Sequence, residues 1–362
     1  MNAKDAILKM PRRADKWEDD LLVNTFVNIG PLIPLLRGVN NQILFGRRGT
    51  GKTHILRYLK SIIENEENDC CIFIDIRQIG STGSIYLDNN IPSEQRAVRL
   101  FTDVLQEIRN QIIEYITSND ENKEKYLSTV TPLLDGLLLL LDIQKVSGST
   151  RIERQVQEGY EKTNENTICI SHVPSFTHTS ASRDASIVYE GTIRDGQCIE
   201  YIDFLSVHKN LQMILDEIQP HRIWILIDEF AELSTELQIA LADMFRRVLC
   251  PLRNCVFKIA AIEHRSNFKC QIDARNYKGL ELGADVYSCN LDDFLVFSNN
   301  RAQALSFFRE LIFQHVNYML ETNDRFADSN SLIEELFTRE TVFEELVMAA
   351  EGVPRDAFNI LA

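Results

Sequence analysis

One eight-residue stretch near the N-terminus constrains this chain more than any other. It reads Gly46-Arg-Arg-Gly-Thr-Gly-Lys-Thr53 and matches the phosphate-binding loop pattern G-x-x-x-x-G-K-[ST] at every fixed position. The apolar run at 41–45 before it predicts a buried strand, and residues 54–63 after it carry apolar side chains at helical spacing. A chance loop rich in glycine and lysine is the alternative, and these flanks disfavour it. The stretch predicts a site for a nucleoside triphosphate.

The residues of this loop have separate expected roles. Glycines let backbone N–H groups turn toward phosphate oxygens, and the helix N-terminus adds the positive end of its dipole. Lys52 is expected to reach the outer phosphates, and the Thr53 hydroxyl to ligate Mg²⁺. His54 is a candidate by position only, because packing or exposure to solvent is its more ordinary role. The candidate nucleotide-binding residues are Gly46, Gly49, Thr50, Gly51, Lys52, Thr53 and His54.

Composition narrows the class of protein. The chain has 362 residues, 44% of them hydrophobic and 25% charged, as in a globular protein of about two domains. Its net charge of −15 argues against a protein that coats nucleic acid, although a local basic patch is compatible with it. The eight cysteines lack C-x-x-C spacing, and no signal peptide or membrane-length apolar run is present. We therefore expect reduced cysteines and a cytoplasmic protein with no membrane association.

Short apolar runs alternate with longer periodic ones along the chain, which predicts an α/β fold with a parallel sheet flanked by helices. The predicted strands follow the phosphate loop at 71–76, 222–227, 256–262 and 284–289, and long helices are predicted at 93–118 and 124–143, the second bent or interrupted at Pro132 and Gly136. Ser206 is expected to cap a further helix. We expect an N-terminal arm at 1–24, an ATPase core at 25–298 and a small helical lid domain at 299–362.

Residues 146–200 differ from the rest in being rich in serine, threonine, glutamate and asparagine. We interpret them as an insertion in the core. Within them Asp195-Gly196 is a strong turn signal and predicts a hairpin over 187–201. A surface excursion and a partner-sensing element are equally compatible with this composition.

A second motif complements the phosphate loop. Asp228 and Glu229 follow the apolar run 223–227 directly. A carboxylate that ends a buried strand beside a phosphate loop can hold the Mg²⁺ shell, and a neighbouring glutamate can act as general base on water. An acidic pair alone is a weak signal, but together with the loop it predicts a hydrolytic site with Asp228 on the metal and Glu229 on the water.

These motifs resemble those of AAA+ P-loop ATPases, most closely the origin-recognition-complex (ORC) initiator branch and the neighbouring STAND switch ATPases. The resemblance rests on 45–53, on 226–230 and on Gly352-Val-Pro-Arg355, and it extends over roughly 25–362 outside the insertion. The G-x-P-R sequence at the start of an apolar helix is the motif that distinguishes this branch from other P-loop ATPases. The resemblance implies that Arg355 is the sensor-2 arginine, which approaches the γ-phosphate from the lid. A solvated residue at a helix start is the alternative.

The chain departs from the family pattern at two places. A polar sensor-1 residue is expected after the strand that ends at Ile262, but Glu263-His264-Arg265 stands there, and Arg265 resembles the arginine of STAND proteins. An arginine finger should precede the last strand, where Arg275 is the first candidate and Arg265 the second; a surface salt bridge is the alternative for Arg275. ORC initiators also continue into a winged-helix DNA-binding domain, whereas this sequence stops at Ala362, so we expect either a fragment or the absence of that mode of DNA binding.

The function expected from these features is an ATP-binding and ATP-hydrolysing switch. Its cofactors would be ATP and Mg²⁺, and ATP is favoured over GTP because no N-K-x-D motif follows the strands. The family resemblance implies a homo-oligomer that controls a protein effector partner, in a setting such as prokaryotic antiphage defence. The alternative is an ORC-like DNA-binding initiator or loader, so DNA is a possible partner but not the favoured one. Arg246-Arg247 is expected to be a solvated face or a subunit contact.

Overall fold

The computed structural model describes residues 2–11, 16–67, 69–79, 90–118, 123–141, 144–156, 188–218, 222–295 and 300–362. The chain forms two compact units, one of Met1–Asp142 with Ile202–Ala362 and one of Ile143–Tyr201. The first unit contains the predicted arm, the predicted lid and the predicted core apart from 143–201. Their boundaries stay predictions, and the boundary at 298/299 lies outside the described residues.

A five-stranded parallel sheet with the order β2-β5-β6-β1-β9 is the centre of the first unit. This confirms the predicted α/β class. The described strands are β1 (Gln42–Phe45), β2 (Cys70–Asp75), β3 (Gln144–Val156), β4 (Val188–Glu200), β5 (Ile223–Asp228), β6 (Cys255–Ala261), β7 (Lys269–Gln271), β8 (Tyr277–Gly279) and β9 (Tyr287–Asn290). The described α-helices are α1 (Ala3–Lys9), α2 (Asp19–Asn24), α3 (Leu32–Leu36), α4 (Lys52–Ile62), α5 (Ser93–Ser118), α6 (Lys123–Leu141), α7 (Phe204–Glu217), α8 (Thr235–Val248), α9 (Asp292–Leu295), α10 (Arg301–Met319), α11 (Ser329–Leu336), α12 (Glu340–Ala350) and α13 (Pro354–Leu361).

Helices cover both faces of the sheet, which explains why its central strands are apolar throughout. Side chains alternate between the faces along each strand. One face contributes Ile43, Ile225 and Ile259 to a buried cluster with α5 to α8. The opposite face contributes Leu44 and Trp224 to a cluster with α1, α3, α4 and the C-terminal helices α10 to α13. The helical C-terminal region is therefore anchored through the same apolar core as the phosphate-loop helix α4.

Two helix predictions need correction. Helix α6 runs over Lys123–Leu141 with Pro132 inside it, so the predicted interruption is wrong, while the predicted bend stays a prediction. A proline removes one helical hydrogen bond, but burial of Val130, Leu134 and Leu137 in the core offsets that loss. Helix α7 is capped by Asp203 rather than Ser206, because the Asp203 carboxylate accepts from the backbone N–H groups of the first turn.

In the second unit, β3 and β4 pair as one antiparallel ladder of thirteen residues each. The predicted hairpin is wrong: Asp195 and Gly196 lie inside β4, opposite Ser149 and Gly148. A complete partner strand from 144–156 satisfies the backbone of β4, so the local turn preference of Asp-Gly is overridden by long-range pairing. The start of the predicted hairpin, Ile187, lies outside the described residues.

Candidate nucleotide-binding site

The phosphate-binding loop lies between β1 and α4, and its glycines are required by its shape. Gly49 and Gly51 have φ angles of 92° and 93°, a region that favours glycine, and Gly51 caps α4. A Cβ atom on Gly46 would come 2.7 Å from Oγ1 of the buried Thr50. That hydroxyl donates to the Arg47 carbonyl over 2.8 Å. These contacts within the loop stabilise its conformation.

Lys52 folds back over the loop. Its Nζ donates to the carbonyl oxygens of Gly46 and Arg47, each at 2.8 Å. Burial lowers the pKa of Lys52 to about 8, partly opposed by Asp228 and Glu229. The ammonium group is thus charged at neutral pH and lies where phosphate oxygens would meet the loop.

Thr53 and Asp228 meet across the site, as the sequence predicts for a shared metal. The Thr53 hydroxyl donates to Asp228 Oδ2 over 2.6 Å, and Asp228 Oδ1 accepts from the Glu229 backbone N–H over 2.8 Å. Burial raises the pKa of the Asp228 carboxyl, and these two hydrogen bonds oppose that rise. A hydroxyl and a carboxylate beside a phosphate loop are the oxygen ligands that Mg²⁺ takes, so these residues fit the ion.

Glu229 occupies an uncommon backbone conformation next to Asp228. Its φ angle is 55°, in the left-handed region that non-glycine residues rarely adopt and that recurs at functional sites. Burial and the Asp228 carboxylate raise the pKa of Glu229, while the Arg77 guanidinium opposes this. Arg77 Nη1 lies 3.5 Å from Glu229 Oε1. A carboxylate with a raised pKa is suited to take a proton from water.

Arg77 and Asp75 are site residues that the sequence reasoning missed. Asp75 ends β2 opposite Asp228, which ends β5. It binds Arg77 through both Nε, at 3.0 Å, and Nη2, at 2.6 Å. A carboxylate that ends a predicted parallel strand was the available signal, because neighbouring strand ends meet at the same edge of the sheet.

The C-terminal helix α13 begins on the phosphate loop. Pro354 occupies its first turn, and the Arg355 N–H donates to the Gly49 carbonyl over 3.3 Å. Arg355 Nε is buried and has no hydrogen-bond partner within the described ranges. Its charge also lowers the pKa of Lys52, as expected of two cations on one site. A buried, unpaired guanidinium nitrogen beside the loop fits an anionic ligand such as a triphosphate.

One cleft joins the phosphate loop to an apolar end. It runs from Lys52, Asp228 and Glu229 to side chains of the N-terminal segment and of helices α10 and α13. The apolar end is lined by Met10, Trp17, Phe26, Val27, Phe307, Leu311, His315 and Phe358. A charged end and an apolar end in one cleft match the two ends of a nucleotide.

His54 lines this cleft, but its hydrogen bond goes elsewhere. Its Nε2 donates to the Leu22 carbonyl over 2.6 Å, which ties α4 to the N-terminal segment. The ring meets Phe26 and His315 edge-on, and burial lowers the pKa of His54. These contacts show packing by His54, and binding of nucleotide by this residue stays a prediction.

The two finger candidates lie outside the cleft lining. Arg275 is exposed in the turn between β7 and β8, where its N–H donates to Asp273 Oδ1 over 2.8 Å. Arg265 is exposed in the turn after β6, and its carbonyl accepts from Gln238. Neither position brings the guanidinium to the phosphate loop of its own chain. The predicted role across a subunit boundary therefore stays a prediction.

Arg246 and Arg247 support the hairpin that carries Arg275. Both pair with Asp243, at 2.9 and 2.7 Å, so intramolecular ion pairs engage this part of α8. Asp243 also accepts from the Gly279 backbone N–H over 3.2 Å. The same carboxylate thereby joins α8, which follows Asp228-Glu229, to the β7–β8 hairpin.

Comparison with known families agrees with this geometry. Residues 10–61, which include β1, the phosphate loop and most of α4, match the family model described as ORC-CDC6-like. This match identifies an ORC-CDC6-like segment in the N-terminal part of the chain. No curated protein shows a significant match to the sequence. The parallel sheet is consistent with a P-loop ATPase. Among the described residues no helix is long and apolar enough to cross a membrane.

Proposed function

We propose that this ORC-CDC6-like chain binds and hydrolyses Mg·ATP and acts as a nucleotide-dependent switch. The observation that carries the proposal is the meeting of five side chains in one cleft. Four belong to the core and one to the C-terminal helix: Lys52, Thr53, Asp228, Glu229 and Arg355. Their chemistry covers phosphate binding, metal ligation, proton transfer and contact with the outermost phosphate.

Binding would use groups that are already in place. Lys52 can exchange the carbonyls of Gly46 and Arg47 for phosphate oxygens without leaving the loop. Thr53 and Asp228 would hold Mg²⁺ through their oxygens, 2.6 Å apart here. The ion, when bound, neutralises charge on the β- and γ-phosphates. The protein supplies positioning, which is most of the catalysis that phosphoryl transfer needs.

Hydrolysis would use Glu229 as general base. Its carboxylate lies next to the metal ligand Asp228, and Arg77 holds it from the other side at 3.5 Å. Arg77 keeps the carboxylate oriented and ionised, while burial makes it more basic than an exposed glutamate. Glu229 would take the proton of the attacking water.

The switch would depend on Arg355. A ligand shifts a conformational equilibrium only through contacts that differ between the two states, and ATP differs from ADP in the γ-phosphate. Arg355 sits on the loop from the C-terminal helix, so the γ-phosphate would stabilise that docked position. We extend the proposal to self-assembly and to control of a protein effector, in antiphage defence, on family analogy alone.

Calorimetry with ATP and ADP tests the binding proposal. Lys52→Ala should weaken ATP binding about tenfold or more, because it removes a charge-assisted phosphate contact. Arg355→Ala should mainly remove the preference for ATP over ADP. On size exclusion, Glu229→Gln with ATP should elute as a larger species than with ADP. Unchanged ATP affinity in Lys52→Ala would refute the assignment of the loop.

A DNA-binding initiator is the second candidate, and the ORC-CDC6-like match favours it. The 53 acidic against 38 basic residues count against it, because duplex binding depends on neutralising phosphates. We expect only non-specific DNA binding, with a Kd of about 10⁻⁴ to 10⁻⁶ M at physiological salt. Nanomolar duplex binding with no effect of nucleotide on size would place the initiator first.

A further inference from the structure

His315 in α10 has a fixed protonation state. Its side chain is 6% exposed, and its Nδ1 lies 2.8 Å from the Leu311 carbonyl oxygen. A carbonyl oxygen only accepts hydrogen bonds, so Nδ1 carries the hydrogen. Burial, with a smaller contribution from His54, lowers the pKa of His315 to about 3. The ring is therefore neutral at physiological pH, and Nε2 is a hydrogen-bond acceptor.

This acceptor lacks a donor in the described part of the chain. The Leu311 carbonyl is the hydrogen-bond partner that the structure gives His315 there, and it engages the other nitrogen. The ring is surrounded by Trp17, Phe358 and His54, with centroids 5.4, 5.2 and 5.8 Å away. Trp17 donates its N–H to the Pro11 carbonyl and His54 donates to Leu22, so neither turns that hydrogen toward His315. Nε2 is not among the fully buried unpaired atoms of the described residues, so it reaches the cleft, where a ligand can supply the donor.

His315 also lines the cleft, among the apolar side chains of the N-terminal segment and of helices α10 and α13. A nucleotide whose phosphates lie on Lys52 would extend its base toward these side chains. We infer that His315 Nε2 accepts a hydrogen bond from the 6-amino group of adenine and so selects adenine nucleotides. The inference rests on the proposed function, because it takes the phosphate loop as the anchor of the ligand.

The surroundings of His315 favour adenine over guanine. Its neighbours Trp17, Phe307, Leu311 and Phe358 present mainly apolar side-chain atoms to the cleft. Guanine would bring a carbonyl oxygen to the position of the 6-amino group, where it would face the lone pair of Nε2. Its further N–H groups would need acceptors of their own, and a buried polar group without a partner costs binding free energy. The 6-amino group of adenine instead places a hydrogen-bond donor next to His315 Nε2.

Calorimetry with two triphosphates isolates this contact. Purine riboside triphosphate is ATP with hydrogen in place of the 6-amino group. Wild-type protein should bind ATP about five- to a hundredfold more tightly, the range expected when a buried acceptor loses its donor. His315→Phe keeps the aromatic packing but removes the acceptor, so it should bind both triphosphates alike. His315→Gln, whose amide oxygen can accept, should keep part of the preference.

His208→Phe is the matched control, because His208 also holds a backbone carbonyl through Nδ1 but lies outside the cleft lining. It should keep the wild-type preference. Equal binding of the two triphosphates by wild-type protein would overturn the inference. A preference for ATP that survives in His315→Phe would also overturn it. So would a preference that is lost in His54→Phe but kept in His315→Phe. Should His315→Phe fail to fold, the wild-type comparison and His315→Gln decide. Failure of wild-type protein to bind either triphosphate would refute the proposed function instead.

Discussion

The backbone N–H of Arg355 donates to the Gly49 carbonyl over 3.3 Å, so the last described helix starts directly on the phosphate loop. The side chains of α13 and of the residue before it also lie close to Gly49. A Cβ atom on Gly49 would lie 2.9 Å from Arg355 Cβ and 3.0 Å from Val353 Cγ1. Glycine at this position thus serves the loop and its docking with the C-terminal helix at once.

Gly49→Ala should separate the loop from α13 and weaken ATP binding. Gly51→Ala is the matched control, since Gly51 has nearly the same φ angle, 93° against 92°, but open space where its Cβ would lie. Both variants share the backbone strain, so the difference between them reports the contact with α13. We expect faster hydrogen exchange in 353–361 in Gly49→Ala than in Gly51→Ala. Equal exchange in both variants would contradict this role.

The phosphate loop could be predicted because its constraints are local. The positive φ angles of Gly49 and Gly51 and the close approach of Gly46 to Thr50 are requirements within the loop itself, so the pattern carries them. The same holds for the strand that ends in Asp228, a run of apolar residues closed by a carboxylate. Sequence therefore sufficed for the fold class and for the meeting of Thr53 with Asp228 beside the loop, while the chemistry of these residues stays a prediction.

The rest of the site depends on long-range contacts that no local pattern encodes. Arg77 meets Glu229 only because β2 pairs with β5, and His315 reaches the cleft only because α10 packs against the N-terminal segment. At Asp195-Gly196 the sequence predicted a feature that the structure lacks, because pairing with a complete partner strand overrides the local turn signal. The order and pairing of the strands determine which of these contacts and turns form.

Glu229→Gln should bind Mg·ATP like wild-type protein but turn it over about a hundredfold or more slowly, the scale of a lost general base. The amide keeps the shape of the side chain and cannot take the proton. Binding is followed by calorimetry and turnover by phosphate release. A variant that hydrolyses ATP at the wild-type rate would show that another residue activates the water.

Arg77→Ala should shift the acid limb of the pH–rate profile upward. Arg77 stabilises the Glu229 carboxylate, and its removal leaves burial and Asp228 to raise the pKa of Glu229 further. Less of the base is then ionised at low pH, so activity at pH 6 should fall more than activity at pH 8. Arg77→Lys, which keeps the charge, should show a smaller shift. A uniform loss at all pH values would indicate a structural role for Arg77.

ATP affinity should decline as the pH rises above about 8. Lys52 has a pKa of about 8 in the free protein, and only its protonated form makes the charge-assisted contact with phosphate. Bound phosphates stabilise that form, so binding above this pH takes up a proton and weakens by up to about tenfold per unit. Calorimetry from about pH 6.5 to about pH 9.5, a range that brackets the pKa of Lys52, measures this decline in ATP affinity. The ATP affinity of Lys52→Ala should not decline in this way. If the ATP affinity of wild-type protein is the same at every pH, Lys52 does not titrate in this range.

Arg275 should act across a subunit boundary, since it is exposed at the β7–β8 turn and does not line its own cleft. The Asp243 network that binds Gly279 holds this hairpin against α8. We expect Arg275→Ala and Lys52→Ala each to lack ATPase activity alone. Mixed together they should regain part of it, because some interfaces then join an intact Arg275 to an intact Lys52.

The exposed Arg253→Ala serves as control for the loss of a surface charge and should keep full activity alone. Recovery must also depend on total protein concentration, because it requires assembly of unlike subunits. Absence of recovery at concentrations where the proteins co-elute would exclude Arg275 as the residue that acts in trans. The same mixing experiment with Arg265→Ala would then test the arginine of the turn after β6, which is exposed as well.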